Sequence, residues 1–417
     1  MSAIEASFRS RTPASAEHAA RASAVMPGGD TRAAGHHPPY QLTMTSGAGA
    51  HLTDLDGNRY LDLIGNFTSL IHGNAYAPII EAATAAAASG TNWPARNESA
   101  VELAEELCRR VPSIDEVRFT NSGSEATMLA VEIARVFTGR DKFLMARWGY
   151  HGSAPWFERG TFGHEGGETL LAEFGDPEDF ERVLDRHGDE IACVILEPVM
   201  GSAGVVVPPD GFLERVAEAA HAAGALVVFD EVITLRLAPG GAQSTSGVTP
   251  DLTAMAKIIG GGFPVGAVGG RADLMELCNP FAPKVFHSGT FNGNPVTTSA
   301  GLVSVRHLTS DAITELDRLA ERLDTGLSGA AAARGLPFSV RRRGSLLQLY
   351  LSETPPAHNP ERTDGERATL FHLACLNHGV FAAGRGLVAL STVLDDTAID
   401  DAIERMTAAF DDVAAEL

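Results

Sequence analysis

The chain has 417 residues, long enough for two domains or for one large domain with a smaller appendage. It is 44% hydrophobic and 20% charged, which excludes a disordered chain. Its 53 acidic against 32 basic residues leave a net charge of −21, a surface that repels phosphate backbones and anionic lipid and so argues against nucleic acid or acidic membranes as partners.

The first forty residues mix Ala, Pro, Gly and His. They predict a short helix over 15–25 and then an irregular arm through Pro27, Gly28, Gly29 and Pro38-Pro39. Asp56-Gly57 between two apolar runs predicts a hairpin within 51–64. From residue 98 the pattern alternates. Helices are expected over 98–111, 124–137, 177–186 and 211–223, and strands over 116–120, 142–146, 191–196 and 225–229. Short apolar strands alternating with amphipathic helices build βαβ units around a mainly parallel sheet, whose ligands bind at the carboxyl ends of the strands. Residues 294–335 read as largely helical. Beyond Pro337, strands over 345–351 and 387–390 and helices over 367–377 and 397–417 predict a smaller α+β domain.

No apolar run reaches membrane-spanning length, and no secretory signal follows Glu5, Arg9 and Arg11. Cys108, Cys193, Cys278 and Cys375 lie too far apart for a zinc site or a disulfide framework. A cytoplasmic protein with reduced thiols and no metal is expected. Arginine supplies almost all the positive charge, because Lys142, Lys257 and Lys284 are the only lysines. Lysine chemistry therefore has three candidates.

Five segments carry the chemistry. Thr120-Asn121-Ser122-Gly123-Ser124-Glu125 joins a strand to a helix, where free N–H groups and the helix dipole favour an anion; a capping role for Ser122 or Ser124 is the alternative. Asp230 ends an apolar strand, where it either caps the next turn or pairs with a cation such as a protonated pyridine nitrogen. Lys257 stands between apolar residues and Gly260-Gly261-Gly262. A desolvated lysine there can form a Schiff base, and glycines allow close approach to a ligand; a snorkelling surface lysine is the alternative. Tyr150, in Gly149-Tyr150-His151-Gly152, can stack on a planar cofactor or serve as an ordinary loop residue. The loop Ser288–Asn294 is a further possible phosphate contact. In this order on an α/β sheet, the set is the equipment for pyridoxal 5′-phosphate.

The stretches FTNSGSEATMLAVEIARVFTGRDK (119–142), GYHG (149–152), ILEPVMGSAG (195–204), LVVFDEVITLRLAPGGAQ (226–243), PDLTAMAKIIGGGFPVGAVGGR (250–271) and HSGTFNGNP (287–295) strongly resemble the class III aminotransferases of the fold-type I pyridoxal-phosphate enzymes. Within that family the look is of the branch that holds glutamate-1-semialdehyde aminomutase and the β-amino acid aminotransferases. The resemblance implies a large domain with a mostly parallel seven-stranded sheet over 56–310. A smaller α+β domain would come from an N-terminal arm, 1–55, and from 311–417.

It also implies roles. Lys257 would hold the cofactor as an internal aldimine and carry the proton, and Asp230 would pair with the ring nitrogen. Tyr150 would stack on one ring face and Val232 on the other. Ser122, Gly123 and Ser124 (where the family usually has Thr) would hold the phosphate. Thr290 would reach the phosphate of a neighbouring subunit, implying a homodimer with sites at the interface. Arg32, in MPGGDTRAAG, would hold a substrate carboxylate. Arg385, in Ala383-Gly384-Arg385-Gly386, would bind the carboxylate of a keto acid, as in the β-amino acid aminotransferases; a surface position is the alternative for each. The activity expected is amino transfer from a β-amino acid or similar amino carboxylate to 2-oxoglutarate or pyruvate, with an intramolecular 2,1-aminomutase as the alternative. The side-chain pocket is expected from His36, His37, Tyr40, residues 67–72 and the Trp93 loop.

Overall fold

A computed structural model describes residues 1–32 and 35–416. The chain forms two compact units, Met1–Tyr76 with Thr314–Leu417, and Ala77–Ile313. The arm expected to end at residue 55 thus runs on to residue 76. The cause is strand pairing. In the first unit β1 (Met44–Ala48), β2 (His51–Asp54) and β3 (Arg59–Asp62) form an antiparallel meander around the Asp56-Gly57 turn. Residues 59–62 are thereby tied to this unit.

The second unit is built on β4 (Glu116–Thr120), β5 (Lys142–Ala146), β6 (Thr169–Ala172), β7 (Ile191–Leu196), β8 (Leu226–Asp230), β9 (Leu252–Ala256) and β10 (Gly266–Gly270). They make one seven-stranded sheet in the order β4-β10-β9-β8-β7-β5-β6. β10 runs antiparallel to both its neighbours, β4 and β9, and the other strand pairs are parallel. Every residue of β7, β8, β9 and β10 is buried, as a sheet covered on both faces requires. One apolar cluster joins the helix Gly123–Thr138 to Phe143, Met145, Ile195 and Val228. A second joins Phe180 and Phe212 to Leu144, Val194 and Phe229.

The C-terminal part of the first unit adds β11 (Ser339–Arg343), β12 (Leu346–Tyr350), β13 (Val380–Phe381) and β14 (Leu387–Ala389). β13 lies parallel to β3, while β11, β12 and β14 form a separate antiparallel sheet. The helices Gly365–Asn377 and Asp396–Glu416 complete it, and residue 417, expected to end the last helix, lies outside the described residues. His37 is buried against Phe8 and His372 (ring centroids 6.2 and 4.6 Å), and Tyr40 packs on Phe8 at 5.2 Å.

After β3 the backbone takes a left-handed turn. Gly65, Asn66, Phe67 and Thr68 have φ of 53°, 48°, 53° and 76°. Left-handed conformation costs a non-glycine residue roughly 1–2 kcal/mol, least for Asn. The turn is braced by Asp62, whose Oδ1 accepts the N–H groups of Ile64 (3.0 Å) and Gly65 (2.9 Å), and by Leu70 N–H donating to the Gly65 carbonyl (2.9 Å). Among the described residues, no helix is long and apolar enough to cross a membrane, and no cluster of His, Cys, Asp and Glu could hold a metal ion.

Candidate active site

The helix Gly123–Thr138 begins directly beyond β4. Ser122 caps it, its Oγ accepting the Glu125 N–H at 3.2 Å, while Glu125 Oε2 accepts the Asn121 N–H at 2.7 Å. The capping alternative is therefore realised, and it leaves the first N–H groups of the helix, at Gly123 and Ser124, without helical partners. Those groups sit at the positive end of a 16-residue helix. Ser124 Oγ accepts the Ser153 N–H at 3.2 Å. Gly152, at φ 101°, crosses so close that a Cβ there would lie 2.4 Å from Ser124 Oγ. A Cβ on Gly123 would lie 3.1 Å from Val232, which packs over the start of the helix. The loops after β4, β5 and β8 thus meet.

Behind them stands a buried group of charges. β8 ends in Asp230, whose Oδ2 is 2.9 Å from His151 Nδ1 and whose Oδ1 accepts the Val232 N–H at 3.0 Å. Both side chains are almost wholly inaccessible, at 0% for His151 and 4% for Asp230. β7 pairs with β8 through Leu196 and Phe229, so Glu197 emerges beside Asp230. Glu197 Oε1 accepts the Tyr150 N–H (3.1 Å) and Oε2 the Gly201 N–H (3.0 Å). Burial pushes the Glu197 carboxyl up to about 7; His151 opposes this and Asp230 reinforces it. Neither His151 nor Glu197 stands out as functional in the sequence. The available signal was position, since Glu197 follows an apolar strand just as Asp230 ends one.

Lys257 leaves the end of β9 at φ 51°, a conformation few lysines adopt. It is half-buried rather than fully desolvated, although Ala256, Ile258 and Ile259 around it are buried. Two of the following glycines sit tightly against protein. A Cβ on Gly260 would lie 2.5 Å from Val265, and one on Gly261 2.7 Å from the Ala300 carbonyl. Lys142 pairs with Glu190 at 2.6 Å and Lys284 is exposed.

Tyr150 is 43% exposed beside this group. Thr290 is exposed too, its carbonyl accepting from Asn92 Nδ2 at 2.7 Å. Its loop meets the turn after β4, where Asn121 Nδ2 donates to Asn292 Oδ1 at 2.7 Å. Arg32 and Arg385 belong to the first unit. Arg32 is exposed; Arg385 is half-buried, and its carbonyl accepts from Gln348 Nε2 (2.5 Å) and from the Arg362 guanidinium.

A helix N-terminus suits a phosphate, a buried aspartate suits a protonated ring nitrogen, and a lysine at a strand end suits an aldehyde. Nε2 of buried His151 has no hydrogen-bond partner among the described residues, which leaves polar capacity beside Asp230. The donor set fits a phosphorylated pyridine aldehyde. Fold and site together define a fold-type I pyridoxal-phosphate enzyme.

The family model for class III aminotransferases matches residues 31–156 and 171–410, and the chain belongs to that family. It is 40% identical over 387 residues to a glutamate-1-semialdehyde 2,1-aminomutase from Myxococcus xanthus, covering 87% of this chain and 89% of that protein. It superposes with TM-score 0.92 on an omega-transaminase from Sphaerobacter thermophilus, at 38% identity over 96% of this chain and 98% of the other. A β-phenylalanine aminotransferase from Variovorax paradoxus matches with TM-score 0.91 and 34% identity, over 97% of each chain. The protein is a pyridoxal-phosphate-dependent enzyme.

Proposed function

We propose that the enzyme moves the amino group of a β-amino acid, or a similar amino carboxylate, to 2-oxoglutarate or pyruvate. Pyridoxal phosphate supplies an electrophilic carbon and an electron sink when bound. The protein supplies the rest. Ser122, Gly123 and Ser124 hold the phosphate, Thr290 reaches that of a second copy, and Tyr150 and Val232 flank the ring. Asp230, oriented by His151, keeps the ring nitrogen protonated. Lys257 Nζ takes the proton from the amine-bearing carbon of the substrate and returns it. Arg32 orients the donor carboxylate and Arg385 the acceptor carboxylate.

Arg385 is the observation that carries this reading. A guanidinium fork suits a keto acid carboxylate, and the fixed carbonyl of Arg385 gives that fork a firm base. The likeness to the β-phenylalanine aminotransferase supports the donor class. A homodimer is part of the proposal, supported by Phe281, Phe286 and Phe291, which are 95%, 87% and 60% exposed on either side of Thr290. Four unpaired cysteines suit a reducing cytoplasm.

The test is spectroscopic. β-Phenylalanine added without keto acid should convert the cofactor band stably to its amine form, and 2-oxoglutarate or pyruvate should restore it. Arg385→Ala should raise the acceptor KM roughly 10- to 100-fold, the loss of a charge-assisted pair, and leave the donor half-reaction nearly unchanged. Full acceptor turnover by Arg385→Ala overturns its role. The second reading, intramolecular transfer, is favoured by the names of relatives such as the Myxococcus protein. It predicts rearrangement of one substrate with no acceptor present.

A further inference from the structure

Arg32 differs from the ion-paired arginines of its unit. Arg318, Arg322 and Arg334 each hold an aspartate at 2.9 Å or closer. Arg32 holds no carboxylate among the described residues, on a chain where acids outnumber bases 53 to 32. Its guanidinium instead donates through Nη1 to the neutral Oδ1 of Asn66 at 2.7 Å and lies 5.8 Å from the centre of the Phe67 ring. Both contacts come from the left-handed turn Gly65–Thr68, whose non-glycine residues hold a conformation they rarely adopt. Asn tolerates that conformation; Phe67 and Thr68 do so poorly, so the turn is not chosen for its own stability.

We propose that this turn is a specificity element for the carboxylate of the amino donor, with Asn66 the positioning residue for Arg32. It rests on the reading that Arg32 takes that carboxylate. An amide oxygen aims one corner of the guanidinium without neutralising it, and the remaining N–H groups have no partner among the described residues. They keep a fork for a planar carboxylate. An acid at position 66 would hold the same corner but compete for the charge.

The experiment measures KM and kcat for β-phenylalanine with the holoenzyme. Asn66→Asp, which tolerates the same backbone, should raise KM about tenfold with kcat within about threefold. Asn66→Gly, which keeps the turn and removes the acceptor, should raise it about two- to fivefold. Arg32→Gln should raise it more than either. If Arg32→Gln raises KM and both position-66 variants match the wild type, the role of the turn is overturned and the reading of Arg32 stands. An unchanged KM in Arg32→Gln overturns both. A fall in kcat at constant KM in the Asn66 variants marks a structural role and also overturns the proposal. Should Asn66→Asp not retain the cofactor, the Asn66→Gly result decides.

Discussion

At the residue scale, Glu197 is a carboxyl group held in an environment that disfavours its charge. Two carboxylates end neighbouring strands, and only one, Asp230, has an imidazole in hydrogen-bonding contact. Folding raises the Glu197 carboxyl from its ordinary 4.5 to about 7. Below pH 4.5 folded and unfolded chains both carry the proton, and the stabilising effect of this group is complete. As pH rises to about 7 the unfolded chain loses the proton before the folded one, so stability falls. We expect urea unfolding of the cofactor-free protein to show this decline, and Glu197→Gln to flatten it by about 1–3 kcal/mol. Parallel curves for the two proteins would refute the assignment. His37 and His372 act in the opposite sense. Burial lowers both, so their contribution is lost as pH falls below 6.5, in both proteins alike.

At the element scale, the helix Asp396–Glu416 is held in two ways, by ion pairs toward the helix Ser310–Ala332 and by aromatic packing on the helix Gly365–Asn377. Arg318, Arg322 and Arg334 face Asp396, Asp400 and Asp411 in exposed pairs. Beneath, Phe410 is buried and stacks on Phe371 at 4.7 Å. Exposed pairs contribute little and are screened by salt. Asp400→Asn should therefore cost under about 1 kcal/mol, with the difference vanishing near 1 M salt, whereas Phe410→Ala should cost about 3–5 kcal/mol at any salt concentration. Denaturant titrations at two ionic strengths separate them. Elements with a clean period were legible: β4, β5 and β7 fall on their expected residues. β10 was not, because GAVGG carries a single branched residue, Val268, among three glycines. Its glycines answer to crowding, since a Cβ on Gly266 would lie 2.0 Å from the Ser122 carbonyl and one on Gly269 2.6 Å from Ile114. The site was legible where a side chain stands at a strand end, as Asp230 and Lys257 do. The left-handed turn was not, because nothing in Gly-Asn-Phe-Thr announces four residues at positive φ. The clamp on Arg385 was not either, because Gln348 and Arg362 reach it only through folding.

At the scale of the whole molecule, charge and apolar exposure pull in different directions. A net charge of −21 opposes association, yet Phe281 and Phe286 stand almost fully in water. An apolar surface of that kind marks a contact site. On the homodimer proposed above, Phe286→Glu should shift the protein toward monomer in light scattering and lower its cofactor occupancy. A dimer unaffected by this change would place the interface elsewhere.

The first unit is assembled from the two ends of the chain. The N–H of Ile4 donates to Glu416 Oε1 at 2.8 Å, and Asn377 Nδ2 donates to the Ile4 carbonyl at 3.0 Å. On the ribosome these partners appear far apart in time. Residues 77–313 lie between the halves, and at roughly 5–20 residues per second their synthesis takes on the order of 10–50 s. Throughout that interval the first 76 residues have been made but cannot complete their core. The second unit, continuous in the chain, is free to fold meanwhile. The N-terminal segment is thus the part of the nascent chain left longest with exposed apolar surface, and the part on which a chaperone has the most time to act.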